Sequence, residues 1–273
     1  MTSNPDGEPR GLRIFSYLPN PRLSKATIAA RLCGVTVELR GASPAELADW
    51  LWDFDARPLP EGERGSLEHL ARSARKGFSS TLYKTAAFLE AHPFGTVPAA
   101  FSLDGKVGIF ESNSIMRAVA RLGHDQARLY GDDAFSASRI DSFLDASLLF
   151  ARDTQIYVLA LRAGSVSADI HGSTVQAFAS YMGGIEQALR GRDGFLVGDR
   201  LTLADIGFVA ELALLHNEQL HGDLLLRSNL RPMLGEASRA EFPQAFAHFE
   251  RLRRIDAIAT DIEPYLRSLA AGH

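Results

Sequence analysis

The chain has 273 residues, 46% of them hydrophobic and 23% charged, which is typical of a water-soluble globular protein of one or two domains. Its net charge of −4 gives no support for nucleic acid as a partner, and no apolar run approaches the roughly 20 residues needed to cross a membrane. Cys33 is the only cysteine, so an internal disulfide is excluded and a cytoplasmic location is expected. Residues 1–10 are polar and are predicted to form a flexible tail rather than a secretory signal.

The first predicted elements alternate between strand and helix. Residues 12–17 are a short apolar run with aromatic and β-branched side chains, which predicts a strand. Residues 24–32 carry helix formers, and Gly34 is a natural end for that helix. Residues 35–39 then alternate between apolar and polar side chains, as a half-buried strand does. A β-α-β unit of this kind normally has parallel strands joined by a right-handed crossover.

A hairpin and a further helix are predicted later in the first half. Asp104 and Gly105 are a strong signal for a two-residue type I′ turn between apolar segments at residues 98–103 and 106–110. In residues 112–122, apolar side chains recur on one helical face. Two strands followed by a helix complete the order of elements of a small mixed sheet packed with helices, the thioredoxin-like arrangement.

Residues 40–96, between these two parts, are too many for a simple connection. The segment is predicted to contain three helices, at residues 44–52, 67–76 and 82–89. We interpret it as an elaborated second-helix region within a thioredoxin-like domain that spans residues 11–123. Its aromatic residues Trp50, Trp52 and Phe54 either cover an apolar ligand or form a hydrophobic cluster that anchors the segment.

The second half, residues 124–273, is predicted to be an all-α domain. Its pattern predicts one long helix at residues 134–161, and Ser173 resembles the start of a capping box that opens the next helix. Thr202 and Asp205 form a stronger capping box, because each side chain can bond the backbone amide of the other residue. Shorter helices are predicted at residues 208–216, 243–255 and 262–270.

Three local motifs, in this order along the chain, resemble those of the cytosolic glutathione transferases. Residues 94–99 (FGTVPA) match the family's segment before its third strand, whose proline is typically cis. Residues 111–115 (ESNSI) resemble its acidic residue and serine at the start of the third helix. Residues 198–205 (GDRLTLAD) resemble the folding motif of its helical domain. The resemblance covers nearly the whole chain beyond the tail, and it implies a thioredoxin-like α/β N-terminal domain followed by an all-α C-terminal domain.

Within this superfamily, the N-terminal half resembles the transferase-like domain of the elongation factor 1B gamma subunit. The similarity lies in residues 17–22 (YLPNPR), in Ala29 and Ala30, and in residues 110–113 (FESN). The elaborated segment at residues 40–96 departs from ordinary family members, which weakens the transfer of family residues to it.

The resemblance implies that two parts of the chain hold glutathione. Val97, between Thr96 and Pro98, would pair its backbone with the cysteinyl part of glutathione, because the proline cannot continue the strand's ladder. Ser112 would bind the γ-glutamyl carboxylate at a helix N-terminus, and Glu111 would receive the ammonium group. Each feature also has a plain structural interpretation, as a strand-entry proline or an ordinary helix cap.

Catalysis in this family requires a lowered thiol pKa, because the thiolate is the nucleophile. The family's activating residue lies just after the first strand, where the candidates are Asn20 and Arg22, followed by Tyr17 and Ser24. Asn20 could donate from its side-chain amide, and Arg22 adds positive charge at the helix start. Cys33 lies near the end of that helix, so we interpret it as a small buried hydrophobe and not as an exchange nucleophile.

The resemblance therefore implies a glutathione transferase that uses glutathione as co-substrate, without a metal, to attack an electrophilic apolar compound. The reaction would be conjugation, as in detoxification, or glutathione-dependent cleavage of an ether or carbon–halogen bond, and the chain would form a homodimer. His216 and His221 are five residues apart rather than the four that place two ligands on one helix face, so they predict no metal site. The alternative is a non-catalytic interaction module with the same fold.

Overall fold

The computed structural model describes residues 11–74, 81–123, 128–192 and 194–271. They belong to two compact units, Met1–Ala127 and Arg128–His273. The predicted flexible tail at residues 1–10 lies outside the described residues. Among the helices that are described, none is both long and apolar enough to cross a membrane.

The described part of the first unit contains eight strands and four α-helices. The strands are β1 (Gly11–Tyr17), β2 (Thr36–Ala42), β3 (Trp50–Trp52), β4 (Arg57–Pro58), β5 (Ala71–Ser73), β6 (Thr81–Lys84), β7 (Ala99–Ser102) and β8 (Gly108–Phe110). The helices are α1 (Pro21–Cys33), α2 (Glu61–Arg64), α3 (Ala86–Ala91) and α4 (Ser112–Leu122). The strands form two four-stranded sheets, in the orders β2-β1-β7-β8 and β4-β3-β6-β5.

The first sheet has the predicted thioredoxin-like order. Strand β1 pairs in parallel with β2, and α1 connects them, whereas the β1–β7 and β7–β8 pairs are antiparallel. Asn20 caps α1 with its side-chain oxygen, Pro21 occupies the first turn, and Gly34 ends the helix at φ 68°. Helix α1 packs against α4. A Cβ at Gly123 would lie 2.2 Å from Cys33 Cβ, so the close approach at this end requires glycine.

The predicted type I′ turn is wrong. Such a turn needs a positive φ at both central residues, and of Asp104 and Gly105 only Gly105 has one, at 73°. Gly105 N instead donates to Ser102 O at 2.8 Å, which makes Gly105 the last residue of the turn. The Asp104 carboxylate accepts from Ser102 Oγ at 2.7 Å and from Lys106 N at 3.1 Å. These local bonds favour the longer loop between β7 and β8.

Two of the three helices predicted in the elaborated segment are wrong. Of residues 44–52, only Glu46–Asp49 form a 3₁₀-helix, and the end of the stretch is β3. Of residues 67–76, the first part belongs to the 3₁₀-helix Gly65–Leu70 and continues into β5, while residues 75–76 lie outside the described residues.

The third prediction, at residues 82–89, is partly right. Its first residues belong to β6, and α3 begins after Thr85, whose Oγ1 accepts from Phe88 N at 3.0 Å. Trp52 on β3 and Leu82 on β6 explain the difference, because both are buried in a core shared with the first sheet. Burial of these strand residues outweighs the helical spacing that the sequence suggests.

The aromatic residues of the elaborated segment anchor it to the first sheet. Trp52 is 1% exposed and lies edge-on to Phe15 and Phe88, with ring centroids 5.2 and 5.9 Å away. Trp50 and Phe54 pack against the same cluster as partly buried side chains. Of the two interpretations of these residues, the anchoring cluster is confirmed.

The second unit is all-α in its described part, as predicted. Its helices are α5 (Ala134–Arg162), α6 (Ala168–Leu189), α7 (Leu203–Leu215), α8 (Gly222–Arg227), α9 (Glu236–Glu241), α10 (Pro243–Leu252) and α11 (Asp256–Ala270). The predicted start of α6 at Ser173 is wrong, because Ser167 caps the helix by accepting from Ile170 N at 3.2 Å. The other predicted helices match α5, α7, α10 and α11 with shifted ends.

The capping box at the start of α7 is confirmed and extends into a buried network. Thr202 N and Oγ1 both donate to Asp205 Oδ2 at 2.9 Å. Asp205 Oδ1 accepts from Leu196 N at 3.0 Å and from His248 Nε2 at 2.8 Å. Arg251 Nη2 donates to His248 Nδ1 at 2.7 Å. Asp205 thereby ties the start of α7 to the preceding loop and to α10.

Candidate functional site

Three segments that the sequence assigns to a binding site meet at one end of the first sheet. Ala99, the first residue of β7, lies opposite Phe15 of β1 and opposite Phe110 of β8. Both neighbours run antiparallel to β7, so the residues after Phe15, before Ala99 and after Phe110 lie at the same end of the sheet. The segments brought together are Tyr17 with the start of α1, Thr96-Val97-Pro98, and Glu111-Ser112.

The segment before β7 has the geometry that the resemblance implies. The peptide bond between Val97 and Pro98 is cis. Val97 lies two residues before Ala99, outside both ladders, and its side chain packs against the hydrophobic core of the unit. The Val97 side chain is therefore held by the core, while the Val97 backbone takes no part in the pairing of β7 with its neighbouring strands.

Lys84, the last residue of β6, connects the elaborated segment to the residues before Val97. Its Nζ donates to Gly95 O at 2.7 Å and lies 4.6 Å from the centroid of the Trp52 ring. Gly95 has φ 59°, and a Cβ there would lie 3.3 Å from Lys84 Nζ, so both the backbone and the contact favour glycine. The sequence gives no sign of this connection, because it depends on the second sheet.

Glu111 and Ser112 form the start of α4. Ser112 is 7% exposed and is the first residue of the helix, where the backbone amides have no partner within the helix. Glu111 is exposed and has φ 68°, a left-handed conformation that costs a residue other than glycine about 1–3 kcal/mol. Conformations of this kind occur preferentially at binding sites, and a helix N-terminus favours an anion.

A buried lysine that the sequence does not single out lies next to Ser112. Lys25, on α1, is 0% exposed, and its Nζ donates to Asn113 Oδ1 at 2.8 Å and to Ser112 Oγ at 3.3 Å. The available signal is its position in α1 between Leu23 and Ile28, which are both buried. A lysine inside such an apolar stretch must satisfy its ammonium within the protein.

The four candidates for activating the thiol lie in different surroundings. Asn20 is 4% exposed; its Oδ1 accepts from Arg22 N and its Nδ2 donates to Ser16 Oγ, both at 3.0 Å. Asn20 is therefore engaged in forming the start of α1. Arg22, Tyr17 and Ser24 are half-buried, and Ser24 Oγ lies 3.4 Å from Asn20 O.

Two other residues considered for chemistry, Cys33 and His216, are buried. Cys33 is buried, as predicted, and burial raises the pKa of its thiol to about 11, so it is protonated and unreactive at neutral pH. His216 is buried in the second unit, and its Nδ1 donates to Leu212 O at 2.8 Å. Within the described ranges, no group of three or more His, Cys, Asp or Glu residues is placed to hold a metal ion.

Comparison with known proteins links this chain to the glutathione transferases. Residues 175–256 match the family model of the glutathione S-transferase C-terminal domain. The glutathione S-transferase-like protein FUS3 of Gibberella fujikuroi is 33% identical over 127 residues, which are 45% of this chain and 59% of that protein. A glutathione S-transferase of Methylobacterium radiotolerans, solved in complex with glutathione sulfonate, has a TM-score of 0.61 at 18% identity, covering 92% of this chain and 94% of its own. The C-terminal part of the chain therefore matches the glutathione S-transferase C-terminal domain, and the fold is similar to that of glutathione transferases.

Not every similar protein carries the name of a transferase. Probable elongation factor 1-gamma 1 of Arabidopsis thaliana is 33% identical over 137 residues, 48% of this chain. The chain spans 31% of that elongation factor and 59% of FUS3, less than two thirds of either protein. The similarity to the elongation factor agrees with the resemblance found in the N-terminal half of this chain.

Proposed function

We propose that this chain binds glutathione and uses its thiolate to attack an electrophilic apolar compound, by conjugation or by glutathione-dependent cleavage of an ether or carbon–halogen bond. The observation that carries the proposal is the pairing of Ala99 with both Phe15 and Phe110. This register gathers the start of α1, the Val97 segment and the start of α4 at one end of the sheet. The neighbour solved with glutathione sulfonate supports the choice of ligand.

Glutathione would lie across this end of the sheet as an extended peptide. The backbone of Val97, outside the ladders, would pair with its cysteinyl part, with Thr96 and Pro98 fixing the direction of the segment. The backbone amides at the start of α4 and the hydroxyl of Ser112 would bind the γ-glutamyl carboxylate. The carboxylate of Glu111 would receive the ammonium group of the same glutamyl residue.

The thiol would then lie near the start of α1. The positive end of that helix favours a thiolate over a thiol, and each unit by which the thiol pKa falls corresponds to about 1.4 kcal/mol. Asn20 would contribute by holding the turn that opens the helix, since both ends of its side-chain amide are engaged there. Direct stabilisation would come from the half-buried Arg22, Tyr17 or Ser24.

Isothermal titration with glutathione tests the binding step. Ser112→Ala should weaken binding about tenfold, because it removes one hydrogen bond to a charged group. Ser114→Ala, a change of the same kind two residues later on α4, is the matched control and should bind as the wild type does. Absence of binding by the wild type at millimolar glutathione would refute the proposal.

The elongation-factor relatives favour a second candidate, a non-catalytic interaction module that keeps the transferase fold. The pKa of the bound thiol separates the two candidates, measured by the ultraviolet absorbance of the thiolate during a pH titration. A transferase lowers this pKa, whereas a module leaves it at about 8.5 or above. Turnover of a chlorodinitrobenzene electrophile by the wild type would exclude the module.

We also propose that the chain is a homodimer, as expected for its superfamily. Sedimentation equilibrium should give twice the chain mass of 29.7 kDa. A mass that stays at that of one chain over the whole concentration range would rule the dimer out.

A further inference from the structure

We propose that Lys25 is a positioning residue for the γ-glutamyl carboxylate of glutathione: its buried ammonium orients Ser112 and places a positive charge behind the start of α4. This inference rests on the proposed function, because it concerns the same site. It assigns a role to a residue outside the three sequence motifs.

Packing alone does not require a charge at this position. Lys25 reaches from α1 to the first two residues of α4, across the face where the two helices pack. An apolar side chain would fill the same space without the desolvation cost of a fully buried ammonium. Nζ keeps its hydrogen bonds by donating to Asn113 Oδ1 and Ser112 Oγ, which fixes both side chains at the helix start.

The bond to Ser112 determines what that hydroxyl can do. A serine hydroxyl has one proton to donate and two lone pairs to accept with. Because Lys25 Nζ donates to Ser112 Oγ, the hydroxyl proton must point away from the ammonium. A carboxylate at the start of α4 would accept that proton, so the lysine prepares Ser112 as a donor.

The ammonium would also attract the carboxylate directly. Nζ lies 3.3 Å from Ser112 Oγ, so a carboxylate oxygen bonded to that hydroxyl would lie within about 6 Å of Nζ. At an effective dielectric constant of about 20, attraction over this distance changes a dissociation constant by about ten- to a hundredfold.

The test compares two ligands in the full-length protein. Glutathione carries the γ-glutamyl carboxylate, whereas γ-aminobutyryl-cysteinyl-glycine keeps the amine and lacks only that carboxylate. Lys25→Met removes the charge and the donor with an apolar chain of similar length, and Lys25→Gln removes the charge but keeps a donor. Lys106→Met is the matched control, because it removes one exposed positive charge from the loop at the opposite end of β7 and β8.

We expect K25M to weaken glutathione binding about ten- to a hundredfold and to leave the affinity for the truncated peptide unchanged. K25Q should lose part of that affinity, and K106M should lose none. Equal weakening of both ligands by K25M and K25Q would show a merely structural role and overturn the inference. If the wild type binds glutathione and both variants bind it equally well, the inference fails while the proposed function stands. If the wild type does not bind glutathione, the proposed function itself fails.

Discussion

His216 should make the helical unit sensitive to mild acid. The imidazole is 6% exposed, its Nδ1 donates to Leu212 O at 2.8 Å, and it stacks on Phe249 with ring centroids 5.3 Å apart. Burial, with a smaller contribution from the charges of Arg253 and Arg239, lowers the pKa of His216 from 6.5 to about 4, although the hydrogen bond to Leu212 O acts in the opposite direction. The folded protein therefore holds this side chain neutral at a pH where the unfolded chain binds a proton.

The sign and size of the effect follow from proton linkage. A histidine whose folded pKa is lowered contributes stability that is fully present above pH 6.5 and is lost as the pH falls towards 4. Between about pH 8 and about pH 5, His216 alone should cost about 2 kcal/mol of unfolding free energy. His92 in the first unit, whose pKa burial also lowers, changes stability in the same direction.

Urea unfolding of the wild type and of His216→Gln at both pH values measures the effect. The variant should be less stable at pH 8, because it loses the stacking contact, but should lose about 2 kcal/mol less on acidification. Most of the described helical residues lie in the second unit, so far-ultraviolet circular dichroism reports mainly on it. Both tryptophans lie in the first unit, so tryptophan fluorescence serves as the control signal. An equal loss in wild type and variant would refute the reasoning.

Two further predictions concern other buried groups. Asp205→Asn should destabilise the protein by about 3–5 kcal/mol, because one amide cannot accept all the hydrogen bonds that Thr202, Leu196 and His248 donate. Thr202→Ser, which keeps the hydroxyl, should cost less than about 1 kcal/mol. Thermal unfolding measures both changes. The Cys33 thiol, with its pKa raised to about 11, should react with a disulfide reagent only after denaturation, and rapid reaction of the folded protein would contradict its burial.

The sequence predicts the first sheet because local signals and the final packing agree there. Strands β1 and β2 are short apolar or alternating runs separated by a helix with a clear end at Gly34, so neither element has a competing assignment. In the elaborated segment the local sequence signals and the final packing disagree. Trp52 has helical spacing relative to its neighbours, but its burial against Phe15 on the first sheet requires a strand.

The sequence singles out the segments of the proposed site for a similar reason. Pro98 and Ser112 stand in short motifs whose spacing carries the resemblance, and the register at Ala99 brings them together. Lys25 could not be assigned from its own neighbourhood, because Ser112 lies 87 residues away along the chain. Its role becomes visible only when α1 and α4 are packed together.

A hydrogen bond from Lys84 connects β6 to the residue just before the proposed binding segment. Lys84 is the last residue of β6, and its ammonium donates to Gly95 O, immediately before Thr96. The same ammonium lies over the buried ring of Trp52. A charged hydrogen bond of this kind contributes about 1.5–3 kcal/mol, which is enough to hold the backbone of residues 95–98 in one conformation. The proposed glutathione affinity should therefore depend on this bond as well as on the residues proposed to contact the ligand.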